Sequence, residues 1–509
     1  MSKDYKSYAV YLAEIISHDI ILTKQEAVKN YLYNISDFKR QISGILLPRN
    51  VADVQEMVIG ANKFGVSIFP ISKGKNWGLG SRLPAGLGDV YIMDLGIYMD
   101  RIIELDQLEG YTTIEPGVTQ GQLSNELRSI DAQYVIDSTG STPDSSIIGS
   151  ICDSGIGFNR LRKFDLCELT VVLGSGEVIT VSSSSRELAG KNNSKPLTAE
   201  LFVQTNFGII VSARIKLLPL SNKRELFILL IKNNEDLGKC MKILGREMEQ
   251  GSISCIPHAF NRRRLTLSSE NSFVRFVTNK FPWVMIGQLK GSRPLITAQK
   301  KHLKRLVSKI SIPLFVGNAT ISILNTVFSA IRYQAGVTAI HTIRELFGIY
   351  GGTPSYLSQS SLLALNVKKY GCDMIEVDQL RLGLLFNTVR IENNVQSVSD
   401  LLALVAGAER ELEEELPHTL MLISPDVIAN AVLFFFDKLH DVKKRKVHEV
   451  HRQLIELGLE KSMSPYKLDV GNMDLRRMDD LSAKYINRLK EIFDSRNVIA
   501  PGRYGIPYD

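Results

Sequence analysis

Between two apolar runs, Val66-Ser67-Ile68-Phe69 and Val90-Tyr91-Ile92-Met93, the chain places PISKGKNWGLGSR, residues 70–82. Glycines at 74, 78 and 80 permit backbone conformations that side chains disfavour, and let the main chain come close to a ligand. Successive amides in such a turn form a concave anion-binding surface, to which Ser72 and Asn76 can add hydrogen bonds. By composition this is a phosphate cradle. No Gly-Lys-Ser/Thr sequence closes it, and it lies between strands instead of opening a helix. This excludes the P-loop and the GxGxxG dinucleotide turn. Taken alone, the stretch is equally an ordinary glycine-rich connection.

Its surroundings read as a mixture of helix and strand. Val51, Val54, Val58, Ala61 and Phe64 recur at helical spacing, with Asn50 as N-cap and Gly65 as the terminating residue. Tyr111 to Val118 reads as a strand ending in a turn, and Thr119 with Gln122 forms a capping box that opens a helix. Residues 136–157, IDSTGSTPDSSIIGSICDSGIG, have no period and are rich in Ser and Gly; so long a loop in a compact domain is usually functional. Glu168–Leu173 and Glu177–Thr180 flank Gly174-Ser175-Gly176 as a hairpin, and strands follow at 207–211 and 213–218. From about residue 222, helical patterns at 235–249, 298–309, 399–416 and 438–458 alternate with strands, which places a second α+β domain there. Ala431–Phe436 reads as a core strand, and a helix at 479–493 precedes the closing segment.

The totals narrow the function classes. A net charge of +7 over 509 residues is too dilute to argue for nucleic acid. Five scattered cysteines, Cys152, Cys167, Cys240, Cys255 and Cys372, show no metal-ligand spacing and suggest reduced thiols and a cytoplasmic protein. The N-terminal stretch reads as a surface helix and not as a signal peptide. No apolar run approaches the ~20 residues that span a bilayer.

The ordered set ISKGKNWGLGS, DVYIMDLGIYMDRIIELD, TTIEPGVTQGQL, STPDSSIIGSICDSGIG, LTVVLGSGEVI, QTNFGIIVSARIKLLP and the closing NVIAPGRYGI resembles the vanillyl-alcohol oxidase and p-cresol methylhydroxylase flavoproteins. The resemblance implies an α+β protein with a two-part FAD-binding domain interrupted by an α+β cap. The FAD-binding part would be residues 1–221, the cap 222–462, and residues 463–509 would return to the FAD site. It implies that Ser72, Lys73, Gly74, Lys75, Asn76, Gly78, Leu79 and Ser81 hold the FAD pyrophosphate. Pro116, Gly117, Val118, Ser138, Gly140, Ser141, Ser145, Ser146, Gly149, Gly155, Ile209 and Val211 would line the rest of the cofactor, with Arg503 reaching it from the C-terminal segment. Tyr466, Lys467 and Ser141 would face the substrate.

This chain departs from the family pattern at several positions. Leu79 stands where phenol oxidisers carry a tyrosine. Lys467 stands for an arginine and loses its bidentate fork. Ser141 replaces an acid, with Asp137 and Asp144 nearby, and Gly383 falls near the histidine that links FAD covalently in the oxidases. Non-covalent FAD is the expectation, with a tyrosine linkage open. These losses weaken a para-phenol reading and leave flavin redox chemistry intact. The implied activity is dehydrogenation of an alcohol, amine or activated C–H of a small substrate, with O₂ or a carrier protein as acceptor and a homodimer as the assembly. The rivals are a degenerate flavoprotein that serves as a partner subunit, and redox-neutral work on the same scaffold. The basic runs Arg160-Leu161-Arg162-Lys163 and Arg262-Arg263-Arg264 could bind an anion but read more readily as solvated surface, as do His448 and His451. Tyr356 and Tyr370 are pocket or core residues of the cap.

Overall fold

A computed structural model describes residues 4–16, 21–23, 25–184, 197–267, 271–371, 376–476 and 478–506. Cys372 lies outside the described residues. The fold is α+β, as expected, and is built on three main sheets.

The first sheet explains the glycine-rich stretch. Gly44–Leu46 and Ile68–Ile71 both run parallel to Tyr91–Asp94, which lies between them. Parallel strands need a crossover, and Val51–Phe64 supplies it as a helix. Asn50 accepts a hydrogen bond from the Asp53 amide at 3.0 Å, and Gly65 ends the helix at φ 67°. Val54, Val58 and Ala61 are fully buried as their spacing requires, while Val51 and Phe64 pack at the margin of the core. The N-terminal helix, Tyr5–Ile15, is more than a surface element: Tyr8 and Leu12 are fully buried against this core. On the edge of Ile68–Ile71, residues 498–500 add a parallel bridge. Ile68 donates to the Val498 carbonyl at 2.8 Å, and Ala500 donates to the Ile68 carbonyl at 2.7 Å.

The second sheet is antiparallel, ordered Ile102–Asp106, Tyr111–Ile114, Gly208–Lys216, Leu166–Leu173, Val178–Ser182. The last two strands are the expected hairpin. Thr119 caps the helix Gln120–Ser129 by accepting from the Gln122 amide at 3.1 Å. The box is only half made, because the Gln122 side chain donates to the Asp100 carbonyl instead.

The third sheet has eight antiparallel strands, from Ile312–Gly317 at one edge to Ser464–Lys467 at the other. The core strand expected around residues 431–436 is Val427–Asp437, and helices Asn234–Glu249, Arg293–Val307, Val395–Leu412 and Asp441–Glu460 match the periodic segments. Three further helices, Asn318–Ala330, Gln334–Tyr350 and Leu357–Tyr370, were not legible in the pattern.

Several charged residues read as surface are interior. Arg162 is 1% exposed, paired with Asp165 at 2.6 Å and donating to the Asp137 carbonyl. Arg160 shares Asp165 at 2.6 Å. His451 is buried under Phe434 and reaches the Phe386 carbonyl at 3.1 Å. His448 packs edge-on to Phe38 and Phe436, and burial pushes its pKa down to about 4. Arg262 and Arg263, by contrast, pair with Glu415 and Glu414. Lys490, 2% exposed, donates to Asp494 and to the carbonyls of Asn206 and Ile499 at 2.7–2.9 Å.

Removing one partner of a buried pair leaves the other charge uncompensated. Asp165→Ala should therefore destabilise the protein by about 3–5 kcal/mol, measured as a lowered urea midpoint. An unchanged midpoint would contradict the interior role of Arg162.

Candidate functional site

The cradle forms where Ile68–Ile71 ends, outside the carboxyl end of a parallel strand, where α/β sheets place ligands. Gly74, Gly78 and Gly80 have φ of 62°, 77° and 116°. A Cβ at Gly74 would come within 2.3 Å of the Arg82 side chain, and one at Gly78 within 2.2 Å of the Phe386 ring. The Asn76 carbonyl closes the turn by accepting from the Leu79 and Ser81 amides at 3.1 and 3.0 Å. The amides of Lys73, Gly74, Lys75 and Asn76 reach no backbone carbonyl among the described residues. Ser81 is anchored from the large-sheet side by Asp378, which accepts its hydroxyl at 2.6 Å.

The 136–157 loop folds against this turn. It holds a short helix, Ile147–Cys152, capped by Ser146, whose hydroxyl accepts from Gly149 and donates to the Pro116 carbonyl at 2.6 Å. Gly149 packs closely on the first loop: a Cβ there would sit 2.5 Å from the Ser72 hydroxyl and force it to move. Gln120 organises the loop's other end. Its side chain accepts from the Thr139 amide and donates to the Ser141 hydroxyl at 3.1 Å.

Between these loops lies a cavity of about 370 Å³. Of the expected site residues, the structure brings Ser72, Lys73, Gly74, Lys75, Asn76, Ser81, Pro116, Ser141, Ser145, Ser146, Gly149, Gly155, Lys467 and Arg503 to its wall. The others do not line it. Leu79, Val118 and Ser138 are buried. Gly78 and Gly117 pack against Phe386 and Met99. The carbonyl of Gly140 accepts from Ser358 at 2.7 Å. Ile209 and Val211 point into the core beneath, and their neighbours Gly208 and Ile210 line the cavity in their place. Tyr466 likewise alternates with Lys467. Its hydroxyl donates to the Ser154 carbonyl, and its ring packs among Leu161, Ile256 and Ile423.

Phe202, Thr205, Asn206, Tyr504 and Asp153 also line the cavity; of these only Phe202 lies outside the quoted motifs, and none was singled out as a site residue. Asp153 accepts from Lys467 at 2.8 Å, from the Tyr504 hydroxyl at 3.1 Å and from Arg503 at 3.4 Å. Burial acts to raise its pKa, but Lys467 and then Arg503 outweigh burial and hold the carboxyl below its usual range. Burial, then the charge of Asp153, pushes the neighbouring Cys152 thiol up to about 12. Asp137, named beside Ser141, is spent on the Asn159 and Arg160 amides, and Asp144 accepts from Tyr356 at 2.9 Å. Tyr370 lies away from the cavity under Arg381. Among the described residues no histidine lines the cavity, and Gly383 packs under Phe436. Among the described residues no three His, Cys, Asp or Glu side chains form a metal site, and no helix is long and apolar enough to cross a membrane.

A valine at position 74 would face both the left-handed backbone and Arg82. Gly74→Val should weaken FAD binding at least tenfold, about 1.4 kcal/mol, in a fluorescence titration of the apoprotein. Gly88→Ala, where a Cβ meets nothing within 4 Å, should bind as the parent does.

Residues 42–182 match the model of an FAD binding domain family. The chain is 31% identical over 274 residues to 1'-carboxy-chondrochloren decarboxylase of Chondromyces crocatus, covering 52% of this chain and 48% of that one. It is 26% identical over 215 residues to the 4-cresol dehydrogenase (hydroxylating) flavoprotein subunit of Pseudomonas putida, covering 40% and 41%. The alignments thus span less than half the length of these curated relatives. Over its whole length it superposes on 98% of 4-ethylphenol oxidase from Gulosibacter chungangensis with a TM-score of 0.85 at 18% identity. It superposes on 98% of p-cresol methylhydroxylase at 0.81 and 16%. The chain therefore carries an FAD-binding domain and has the fold of the p-cresol methylhydroxylase flavoproteins.

Proposed function

We propose that the protein is an FAD-linked oxidoreductase that takes a hydride from a small organic substrate held between the cofactor and a cap formed by residues 222–462. The observation that carries this reading is one cavity lined both by the glycine-bearing Lys73–Asn76 turn and by the ion cluster of Asp153, Lys467 and Arg503. The fit to FAD rests on three features of this chain. Four amides of the Lys73–Asn76 turn have no backbone acceptor. Gly74 and Gly149 let the two loops pack closely, where a Cβ would press on the Arg82 side chain and the Ser72 hydroxyl. The volume lies within the ~300–1,000 Å³ of cofactor pockets.

In this reading the amides of residues 73–76 and the Ser72 hydroxyl bind the pyrophosphate. When bound, FAD supplies the acceptor for a hydride. Lys467 and Arg503 offer positive charge where negative charge develops, which is where preorganised groups contribute most to catalysis. Ser141, fixed by Gln120 and Thr139, is a second polar contact at the wall. Tyr356 and Ser358, which bond to Asp144 and Gly140, join the cap to the second loop. Tyr466 with its hydroxyl engaged by Ser154, and Leu79 buried, offer no hydroxyl pair to a phenolate; this favours substrates other than para-alkylphenols. The same two features support the rival reading of a partner subunit without substrate oxidation.

The purified protein should be yellow and release FAD on acid precipitation. Mixed anaerobically with a panel of alcohols, amines and alkylphenols, it should lose its flavin absorbance with at least one. Lys467→Met should slow that reduction by roughly 10²–10³-fold. Bleaching by light but by no member of the panel would favour the rival. A colourless protein that takes up no FAD would end both readings.

A further inference from the structure

Three segments far apart in sequence meet at one carboxylate. Asp153 follows the short helix Ile147–Cys152; Lys467 ends the edge strand Ser464–Lys467 of the large sheet; Arg503 and Tyr504 lie in the closing turn. All four side chains line the cofactor cavity. One Asp153 oxygen takes the ammonium of Lys467, and the other takes Arg503 and Tyr504. The Asp153 side chain is 15% exposed, with Lys467 at 18% and Arg503 at 12%. Tyr504 holds φ 60°, a strained value for a residue with a side chain, and the Arg503 guanidinium stacks 4.7 Å from its ring. Two cations this close, both largely out of water, repel each other unless a negative charge lies between them. With Asp153 present, the cluster shows the cavity one net positive charge.

We propose that Asp153 is a positioning residue: it fixes Lys467 and Arg503 in the wall of the cofactor cavity and, by its own charge, sets the positive potential they impose on a bound flavin. This inference rests on the flavin-dependent reading above. It assigns to Asp153 what a purely structural ion pair would not have, namely control over how readily the cofactor accepts an anion.

The test uses the full-length protein with FAD bound and needs no substrate. Sulfite adds to oxidised flavin and removes its long-wavelength band, so its affinity reports the potential at the ring. Asp153→Asn keeps the shape and removes the charge. It should tighten sulfite binding on the order of tenfold, the effect of one unit charge at ~10 Å and an effective dielectric of ~20. Lys467→Met should weaken it by a similar factor, and the double variant should return to within about threefold of the parent if the two charges act on the same site. Unchanged or weaker sulfite binding in Asp153→Asn, with FAD bound at the parent's stoichiometry, overturns the proposal. If that variant fails to retain FAD, Lys467→Met decides alone: sulfite affinity equal to the parent's also overturns it. A parent protein that binds no FAD would instead defeat the flavin reading.

Discussion

The cavity depends on one buried ammonium. Lys490 lies out of water, where an uncompensated charge would cost several kcal/mol. It is tolerated because the Asp494 carboxylate and the carbonyls of Asn206 and Ile499 surround it. Those contacts fasten the C-terminal segment to the wall that carries Asn206. Asp494 in turn accepts the amides of Val498 and Ile499, which sets the segment's path along Ile68. From there the backbone turns toward Arg503 and Tyr504. The position of the ion cluster is thus inherited from a helix whose own side chains, apart from Lys490, have no part in the site.

The two glycine-bearing loops show a complementary economy. Each is held by short-range hydrogen bonds: Asn76 closing one turn, Ser146 and Gln120 organising the other. The loops meet where Gly149 lets the main chain rest on Ser72. The amides of residues 73–76 make no backbone hydrogen bond among the described residues, which leaves them free to meet a polar ligand.

Much of this was legible in the sequence because it is local. The helix from Val51 to Phe64, its Asn50 and Gly65 ends, the hairpin after Leu166 and the cradle itself all follow from spacing and turn chemistry. What failed turned on which strand face or which distant partner a residue meets. Along Gly208–Lys216 side chains alternate, so an error of one residue exchanges Ile209 and Val211 for Gly208 and Ile210. The same alternation puts Lys467 in the cavity and Tyr466 behind it. Arg162, His448 and His451 read as surface because their residue types usually are. The carboxylates and aromatic rings that make them interior are supplied by the fold, and in Arg162's case its aspartate stands only three positions away. Asp153 was hidden for the same reason: nothing near it in sequence announces three donors arriving from elsewhere.

The bridge between Ile68 and residues 498–500 has a consequence for how the molecule is made. About 430 residues separate the cradle from the segment that completes its cavity. Synthesis at ~5–20 residues per second puts roughly 20–90 seconds between the two. Throughout that interval the nascent chain can form its first parallel strands and the crossover helix, yet the edge of Ile68 is bare and the cavity lacks a side. The cavity can therefore close only after residues 498–504 have been made, and until then an unpaired strand edge is open to the wrong neighbour.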